Sequence, residues 1–233
     1  MLRIGCCGFP VGLSRYAREL PVVEVQKTFY QIPSRETIQR WRDRVPDGFF
    51  FTVKAWQGIP HPAASPTYRR SRPLPEEIRD RVGHFRPTEP VFQGWKETRD
   101  VARILKAPLV LLQAPPSFLE TRENLLNLEG FLSGIERGDL RLALELRAPW
   151  DGARLAALCG KFDLIHCVDP FGAVPVTGPP FYFRLHGSPP GKRMYAYRYT
   201  AADLRGLREL IMGRSEEGEV YCLFNNLSMW DDA

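Results

Sequence analysis

The sequence has few histidines and no cysteine pair at the spacing of a metal or redox motif. Its four histidines form no H-x-H or H-E-x-x-H pattern, and its five cysteines contain no C-x-x-C pair. These spacings are the local signatures of zinc sites and of many thiol–disulfide enzymes. No local motif therefore supports a zinc site, an iron–sulfur centre or a disulfide framework.

Long apolar runs are also absent. The longest, such as residues 108–112, are far shorter than the roughly 20 residues that a membrane helix requires. The chain passes from Met1 directly into a strand-like segment, with no charged-then-apolar leader and no small-residue cleavage site. We therefore expect a cytoplasmic protein with no membrane partner. Its 233 residues suit one domain, 1–233.

Short β-branched or aromatic segments alternate with longer helix-like segments. Strands are predicted at 2–7, 22–29, 49–55, 109–113, 141–147, 164–168, 181–186 and 220–224. Helical patterns cover 34–44, 94–105, 121–136 and 201–212, the first with Ser34 as its N-cap. Parallel strands need crossovers long enough for a helix, so eight such units favour an α/β fold, an irregular (β/α)8 TIM-type barrel.

Two connections, after predicted strands 3 and 7, are unusually long. Residues 57–90 are rich in Pro, Arg and Ser, and residues 188–199 contain Pro189-Pro190-Gly191 and three tyrosines. Connections that follow the strands of a parallel barrel emerge on one rim. We expect both loops to cover the mouth of the barrel.

Several predicted strands end in polar residues that share one side, because residues two apart in a strand point the same way. The carboxyl ends of barrel strands converge at the mouth, where active sites of this fold lie. The candidate catalytic residues are His186, Glu145 and Lys54. The candidate ligand-binding residues are Glu24, Tyr30, Gln113, Arg147, Asp169, Arg184, Asn225 and Asn226.

Three of these side chains have alternative roles. His186 is a candidate general acid or base, since a histidine titrates near neutrality, or a structural histidine bound to a neighbouring carboxylate. Lys54 is expected to pair with an anion or a carboxylate, with imine formation as the alternative if burial lowers its pKa. Glu145 is a candidate base, or the partner of Arg184 in a structural salt bridge.

A divalent metal is possible but has no motif, so the cofactors stay unknown. Glu24, Glu145, Asp169 and His186 would form an oxygen-rich site if the fold gathered them. The adjacent Cys6 and Cys7 are poor joint ligands for one ion, because neighbouring residues of a strand point to opposite sides. We interpret them as small packing residues.

Seven blocks occur in order along the chain: IGCCGF, VEVQKTFYQIPS, GFFFTVKA, LLQAPPSF, LELRAPW, FRLHG and VYCLFNN. Together they resemble the uncharacterised YecE-like family, domain of unknown function 72. The resemblance implies an irregular TIM-type barrel and no established biochemical activity. The chain departs from the family pattern at Cys6-Cys7, and its ending, MWDDA, implies an abbreviated C-terminal helix.

Three functions remain open, and no oligomeric state is predicted. The first is an enzyme of the hydrolase, lyase or isomerase type that performs acid/base chemistry on a small anionic or carbonyl-containing substrate. The second is a nucleic-acid-binding or nucleic-acid-processing protein, because the charge is +5 and basic residues lie beside tyrosines at 68–72 and 192–199. The third is a barrel that binds a ligand without turnover.

Overall fold

A computed structural model describes residues 1–187 and 194–233 of the chain. In these ranges the chain forms eight strands: β1 (Leu2–Cys7), β2 (Val22–Val25), β3 (Phe50–Lys54), β4 (Leu109–Ala114), β5 (Arg141–Leu146), β6 (Leu164–His166), β7 (Phe181–Leu185) and β8 (Val220–Phe224). The α-helices are α1 (Leu13–Glu19), α2 (Lys27–Tyr30), α3 (Arg35–Asp43), α4 (Glu89–Leu105), α5 (Arg122–Gly134), α6 (Gly152–Phe162), α7 (Ala201–Glu217) and α8 (Met229–Asp232).

All eight strands are parallel and lie in the order β6-β5-β4-β3-β2-β1-β8-β7. The two outer strands of this order meet through a parallel bridge between Val168 and Phe183. The Arg184 N–H also donates to the Val168 carbonyl at 2.9 Å. The sheet is thus a nearly closed barrel, and the predicted irregular (β/α)8 TIM-type fold is confirmed.

The predicted strand at 22–29 is too long. β2 ends at Val25 and the chain then turns into α2. Thr28 Oγ1 donates to the carbonyls of Val25 and Lys54, at 3.0 and 2.6 Å, and so ties this turn to the end of β3. The predicted strand at 164–168 is also shorter, because only Val168 continues the pairing beyond β6.

The helices follow their capping residues. Ser34 caps α3 as predicted, accepting from the Thr37 N–H at 3.3 Å. Thr200 and Asp203 form a capping box at α7, which continues to Glu217, beyond the predicted end. α1 and α6 were not predicted from the sequence. The last helix, α8, is short, as expected. Among the described helices, none is long and apolar enough to cross a membrane.

Alternation along the strands divides their side chains between the barrel interior and the surrounding helices. Cys7 packs in the interior cluster with Leu111 and Leu223, whereas Cys6 packs in the cluster beneath the helices. Between them, a Cβ atom on Gly5 would lie 2.0 Å from the Val22 carbonyl oxygen. The motif at the start of the chain therefore provides close strand packing.

The long connection after β3 contains two short 3₁₀ turns, Pro66–Arg70 and Glu76–Ile78. The first of these lies at the mouth of the barrel. In the connection after β7, residues 188–193 lie outside the described residues, so the prediction for Pro189-Pro190-Gly191 does too. Beyond them, the Tyr195 carbonyl accepts from the Leu227 N–H at 2.7 Å, joining this connection to the end of β8.

Candidate functional site

A cleft of about 560 Å³ opens at the carboxyl ends of the strands. Six of the eleven predicted site residues line it: Tyr30, Lys54, Gln113, Arg147, Asn225 and Asn226. The rest of its wall comes from Cys7, Gln26, Pro66, Thr67, Arg70, Tyr195, Leu227 and Met229. Three of these side chains are cations, and the described wall contains no carboxylate. The cleft thus has the charge of an anion site.

The other five predicted residues do not line the cleft. They form, with Arg147, what we call the mouth cluster: Glu24, Glu145, Arg147, Asp169, Arg184 and His186. Its centre is Arg184, which is fully buried. Arg184 Nη2 lies 2.9 Å from Glu24 Oε1, and Nη1 bonds Glu145. The structural salt bridge considered for Glu145 and Arg184 is therefore present.

Two side chains that the sequence reasoning missed complete this region. Tyr182 donates from its hydroxyl to Glu24 Oε2 at 2.7 Å, and Thr52 Oγ1 lies 2.7 Å from the same hydroxyl. Tyr182 precedes Arg184 by two residues, so strand alternation could have found it. Arg70, in contrast, reaches the cleft from an irregular loop that has no periodicity to read.

The bonds of His186 define its tautomer. Its Nε2 lies 2.6 Å from Arg147 Nη2, and a guanidinium can only donate, so Nε2 accepts. The ring proton then resides on Nδ1, which faces Asp169 Oδ2 at 3.4 Å. Burial lowers the pKa of His186, although Glu145 and Asp169 oppose this shift. The ring is neutral at pH 7 and its basic nitrogen is occupied.

Glu145 is held in its ionised form. Burial acts to raise the pKa of this carboxyl, but Arg184 and Arg147 outweigh burial and hold the pKa well below its usual range. Arg147 Nε lies 2.9 Å from Glu145 Oε1. The same attraction keeps the Arg184 pKa above its ordinary value despite the burial of the guanidinium. Glu145 is thus poorly suited to act as a general acid.

Lys54 differs from every other described cation at the mouth. Its side chain is only 7 % exposed, and burial, with a smaller contribution from Arg184, lowers its pKa to about 7. No described carboxylate oxygen lies within 4 Å of its Nζ, so the expected pairing with a carboxylate is not found. Its nearest aromatic neighbour is Phe29, whose ring centroid is 3.8 Å away. Lys54 is close to half protonated at neutral pH.

The described residues contain no group of three or more His, Cys, Asp or Glu side chains arranged to hold a metal ion. Glu24 and Glu145, which the sequence placed in a candidate divalent site, face Arg184 instead. The five cysteines are free and buried. Burial raises the pKa of Cys7, on the cleft wall, well above its usual value, so its thiol stays protonated.

Of the three tyrosines predicted beside the mouth, only Tyr195 lines the cleft. Tyr199 is buried, and its hydroxyl accepts from the Gly187 N–H at 2.9 Å. The Tyr197 hydroxyl donates to Asp203 at 2.8 Å. The neighbouring Lys192 and Arg193 lie outside the described residues.

A parallel eight-stranded barrel with polar side chains gathered at its carboxyl ends defines a protein of the TIM-barrel class. Within that class, the chain belongs to the family described as "Protein of unknown function DUF72", whose model matches residues 10–233. It is 26 % identical to the UPF0759 protein YunF of Bacillus subtilis (strain 168). That similarity covers 95 % of this chain and 82 % of YunF.

Solved structures agree with this assignment. A DUF72 family protein from Enterococcus faecalis V583 is similar with a TM-score of 0.75 and 22 % identity, covering 100 % of this chain and 91 % of that one. Another, from Thermotoga maritima MSB8, has a TM-score of 0.71 and 21 % identity over 100 % and 96 % of the chains. More distant likenesses, in fold alone, are endonuclease IV from Thermus thermophilus (TM-score 0.55, 14 % identity, 99 % and 94 %) and a D-tagatose 3-epimerase-like protein (0.59, 11 %, 99 % and 94 %).

Proposed function

We propose that the mouth of the barrel binds a small anionic molecule that carries a carbonyl group and catalyses acid–base chemistry on it. The observation that carries the proposal is the convergence of Lys54, Arg70 and Arg147 on one cleft whose described wall has no carboxylate. Such a wall attracts an anion and would repay its desolvation. The reaction type we favour is that of an isomerase, lyase or hydrolase.

The charges at the mouth support an anionic ligand. Arg184 is matched by two buried carboxylates, whereas Lys54 and Arg70 have no described carboxylate within 4 Å. Arg70 instead donates to the Tyr30 hydroxyl at 3.4 Å. The amide side chains of Gln113 and Asn225 can both donate and accept, which suits the hydroxyl and carbonyl groups of a small polar ligand.

Lys54 is the best candidate for proton transfer. A general base is most effective when its pKa is near the working pH, and burial lowers the Lys54 pKa to about 7. His186, the proton carrier favoured by the sequence, is not on the cleft wall, and its Nε2 faces Arg147. We therefore assign His186, with Asp169, the role of a positioning residue that holds Arg147 toward the ligand.

The test is solvent-deuterium exchange followed by proton NMR. The probes are pyruvate, 2-oxobutyrate and dihydroxyacetone phosphate, which carry an anion and exchangeable hydrogens beside a carbonyl. We expect exchange above the buffer rate with wild-type protein, its loss in Lys54→Met, and its retention in Lys96→Met, which removes an exposed lysine of α4. Binding of these probes without exchange would identify a ligand-binding barrel. Neither binding nor exchange with any probe would contradict the proposal.

A nucleic-acid partner is the second candidate, favoured by one surface feature. Arg69, Arg70 and Arg72 are exposed on the loop beside the cleft, and Tyr30 and Tyr195 lie on the cleft wall. Phosphate contacts make such binding steeply salt-dependent. Anisotropy with labelled single-stranded DNA and RNA at about 50 and 200 mM salt tests it. Binding that disappears in the triple Arg→Gln variant supports this candidate, and undetectable or salt-independent binding contradicts it.

A further inference from the structure

Resting on the anion site proposed above, we propose that Lys54 forms a covalent imine with the carbonyl group of the bound ligand. Three observations place its amine for this reaction. Lys54 lies on the wall of the mouth cleft, its side chain is nearly inaccessible to bulk water, and no described carboxylate lies within 4 Å of it. A lysine in a structural ion pair would have lost at least the last of these properties.

The backbone fixes where the amine projects. Phe50, Thr52 and Lys54 alternate into the barrel interior along β3, and Lys54 pairs with Leu111 of β4. The Lys54 carbonyl accepts from Thr28 Oγ1 at 2.6 Å, which anchors the last residue of the strand. A reactive group on a rigid strand end is held more precisely than one on a loop.

The surroundings of Lys54 favour the free amine. The charged and titratable groups that act on it from the neighbouring elements are Glu24, His61, Glu145, Arg147 and Arg184. Burial and the two guanidinium groups oppose the ammonium, and this effect exceeds the attraction of the two carboxylates. Since only the unprotonated amine attacks a carbonyl, this environment prepares Lys54 as a nucleophile.

The chemistry balances without a cofactor. The nitrogen lone pair forms a C–N bond to the carbonyl carbon, and the carbonyl π pair moves to oxygen. One nitrogen proton passes to that oxygen, which gives a carbinolamine. The C–O bond then breaks, the oxygen leaves as water with the second nitrogen proton, and a C=N bond remains. An imine that takes up a proton becomes an electron sink for removal of a proton or cleavage of a bond next to the former carbonyl carbon.

The cleft also limits the ligand class. Arg70 and Arg147 line the same cleft as Lys54 and provide donors for a carboxylate or a phosphate on the same molecule. The ligand is therefore a short compound with one anionic group and one aldehyde or ketone group, such as a 2-oxo acid or a phosphorylated aldehyde. These two sources differ only in the anion, so the test includes one probe of each kind.

The experiment traps the imine by reduction. Folded protein at pH 7 is incubated with cyanoborohydride and glyoxylate, glycolaldehyde phosphate or neutral glycolaldehyde, and the modified lysines are mapped by peptide mass spectrometry. The chain has only six lysines, and the other four that the structure describes, Lys27, Lys96, Lys106 and Lys161, are exposed. We expect Lys54 to be labelled about tenfold or more in excess of these four.

Matched variants keep the result interpretable. Lys96→Met should leave the labelling of Lys54 unchanged, and Lys54→Arg, which keeps a cation, should abolish labelling at this position without unfolding the protein. Labelling spread evenly over the exposed lysines, with Lys54 unmodified in folded wild-type protein, would overturn the inference. Preferential labelling of Lys54 by either anionic probe supports it.

A competition arm separates this inference from the proposed function. Inorganic phosphate that binds by calorimetry and protects Lys54 from glyoxylate supports both. Phosphate that binds while Lys54 stays unlabelled by all three probes overturns the imine and leaves the anion site standing. Lys54 labelled equally by charged and neutral aldehydes, with no protection by phosphate, supports the imine and contradicts the anion site.

Discussion

Two ion clusters lie at opposite ends of the barrel interior, and they differ in how their charges are matched. At the amino-terminal end of the strands, Glu219 bonds Arg3 and lies 2.7 Å from Arg141 Nη2. The guanidinium of Arg3 lies 3.7 Å from the centroid of the Phe50 ring, and Arg141 donates to the Tyr221 hydroxyl at 3.3 Å. We call these residues the base cluster.

The comparison shows that buried charge alone does not mark a functional site. In the base cluster both arginines share one carboxylate, whose pKa is lowered because Arg141 and Arg3 outweigh the effect of burial. At the mouth, Arg184 is equally well matched, but Lys54 beside it has no described carboxylate within 4 Å and faces a cleft. An unmatched cation beside a cavity is the informative feature.

The largest effect is expected from a matched pair of arginine replacements. Arg184→Met removes the only described salt-bridge partner of Glu24 and leaves it buried and unpaired, so we expect a loss of about 5 kcal/mol in the free energy of unfolding. Arg3→Met should cost about 1–2 kcal/mol, because Glu219 keeps Arg141. Urea unfolding at pH 7 measures both.

Equal losses in these two variants would contradict the comparison, since they would show that the two clusters contribute alike to stability. If Arg184→Met does not fold, the double variant Arg184→Met with Glu24→Gln provides the check. It removes the Glu24 carboxylate charge as well and should recover part of the lost stability.

The second prediction concerns the pH dependence introduced by Lys54. Its folded pKa of about 7 lies below the unfolded value, so the unfolded chain binds more protons between about pH 7 and 10.5. Wild-type stability therefore carries a contribution that rises with pH across this window. Lys54→Met removes it and should be more stable than wild type by about 2–4 kcal/mol at pH 6, a gain that disappears near pH 10.5.

The measurement is urea unfolding of both proteins at several pH values, with Lys96→Met as the control. Glu24, His61, Glu145, Arg147 and Arg184 also act electrostatically with Lys54, and all are present in both proteins, so the difference isolates the lysine. A stability difference that is constant from pH 6 to pH 10 would show that Lys54 titrates normally. It would remove the physical basis for a neutral amine at the cleft.

Most of the fold was predictable because the strands have a strong signal of their own. The bounds of β1 and β8 agree with the predicted 2–7 and 220–224, since both are short apolar runs that end in glycine or asparagine. The prediction was wrong at residues 26–29, where apolar and β-branched residues continue but the chain turns. The bonds of Thr28 to two strand-end carbonyls cause that turn, and they depend on β3 being in place.

The membership of the site was more predictable than the roles of its residues. Alternation along strands placed Glu145, Arg184 and His186 at the mouth, as the structure does. The sequence does not indicate that His186 is covered by Arg147 or that Lys54 has no carboxylate neighbour. Both facts depend on which strands stand side by side and on a loop residue, and neither leaves a local pattern.

The smallest effect on stability, and the most direct test of the anion site, comes from exchanging one arginine at each end. Arg70→Gln removes an exposed cation from the cleft wall, so unfolding should change by less than about 0.5 kcal/mol while phosphate affinity, measured by calorimetry, falls about 3–10-fold. Arg141→Gln removes an equal charge from the base cluster and should leave that affinity unchanged. Equal losses of affinity in both variants would mean that phosphate responds to net charge alone. In that case the arrangement of cations at the mouth would have no special role.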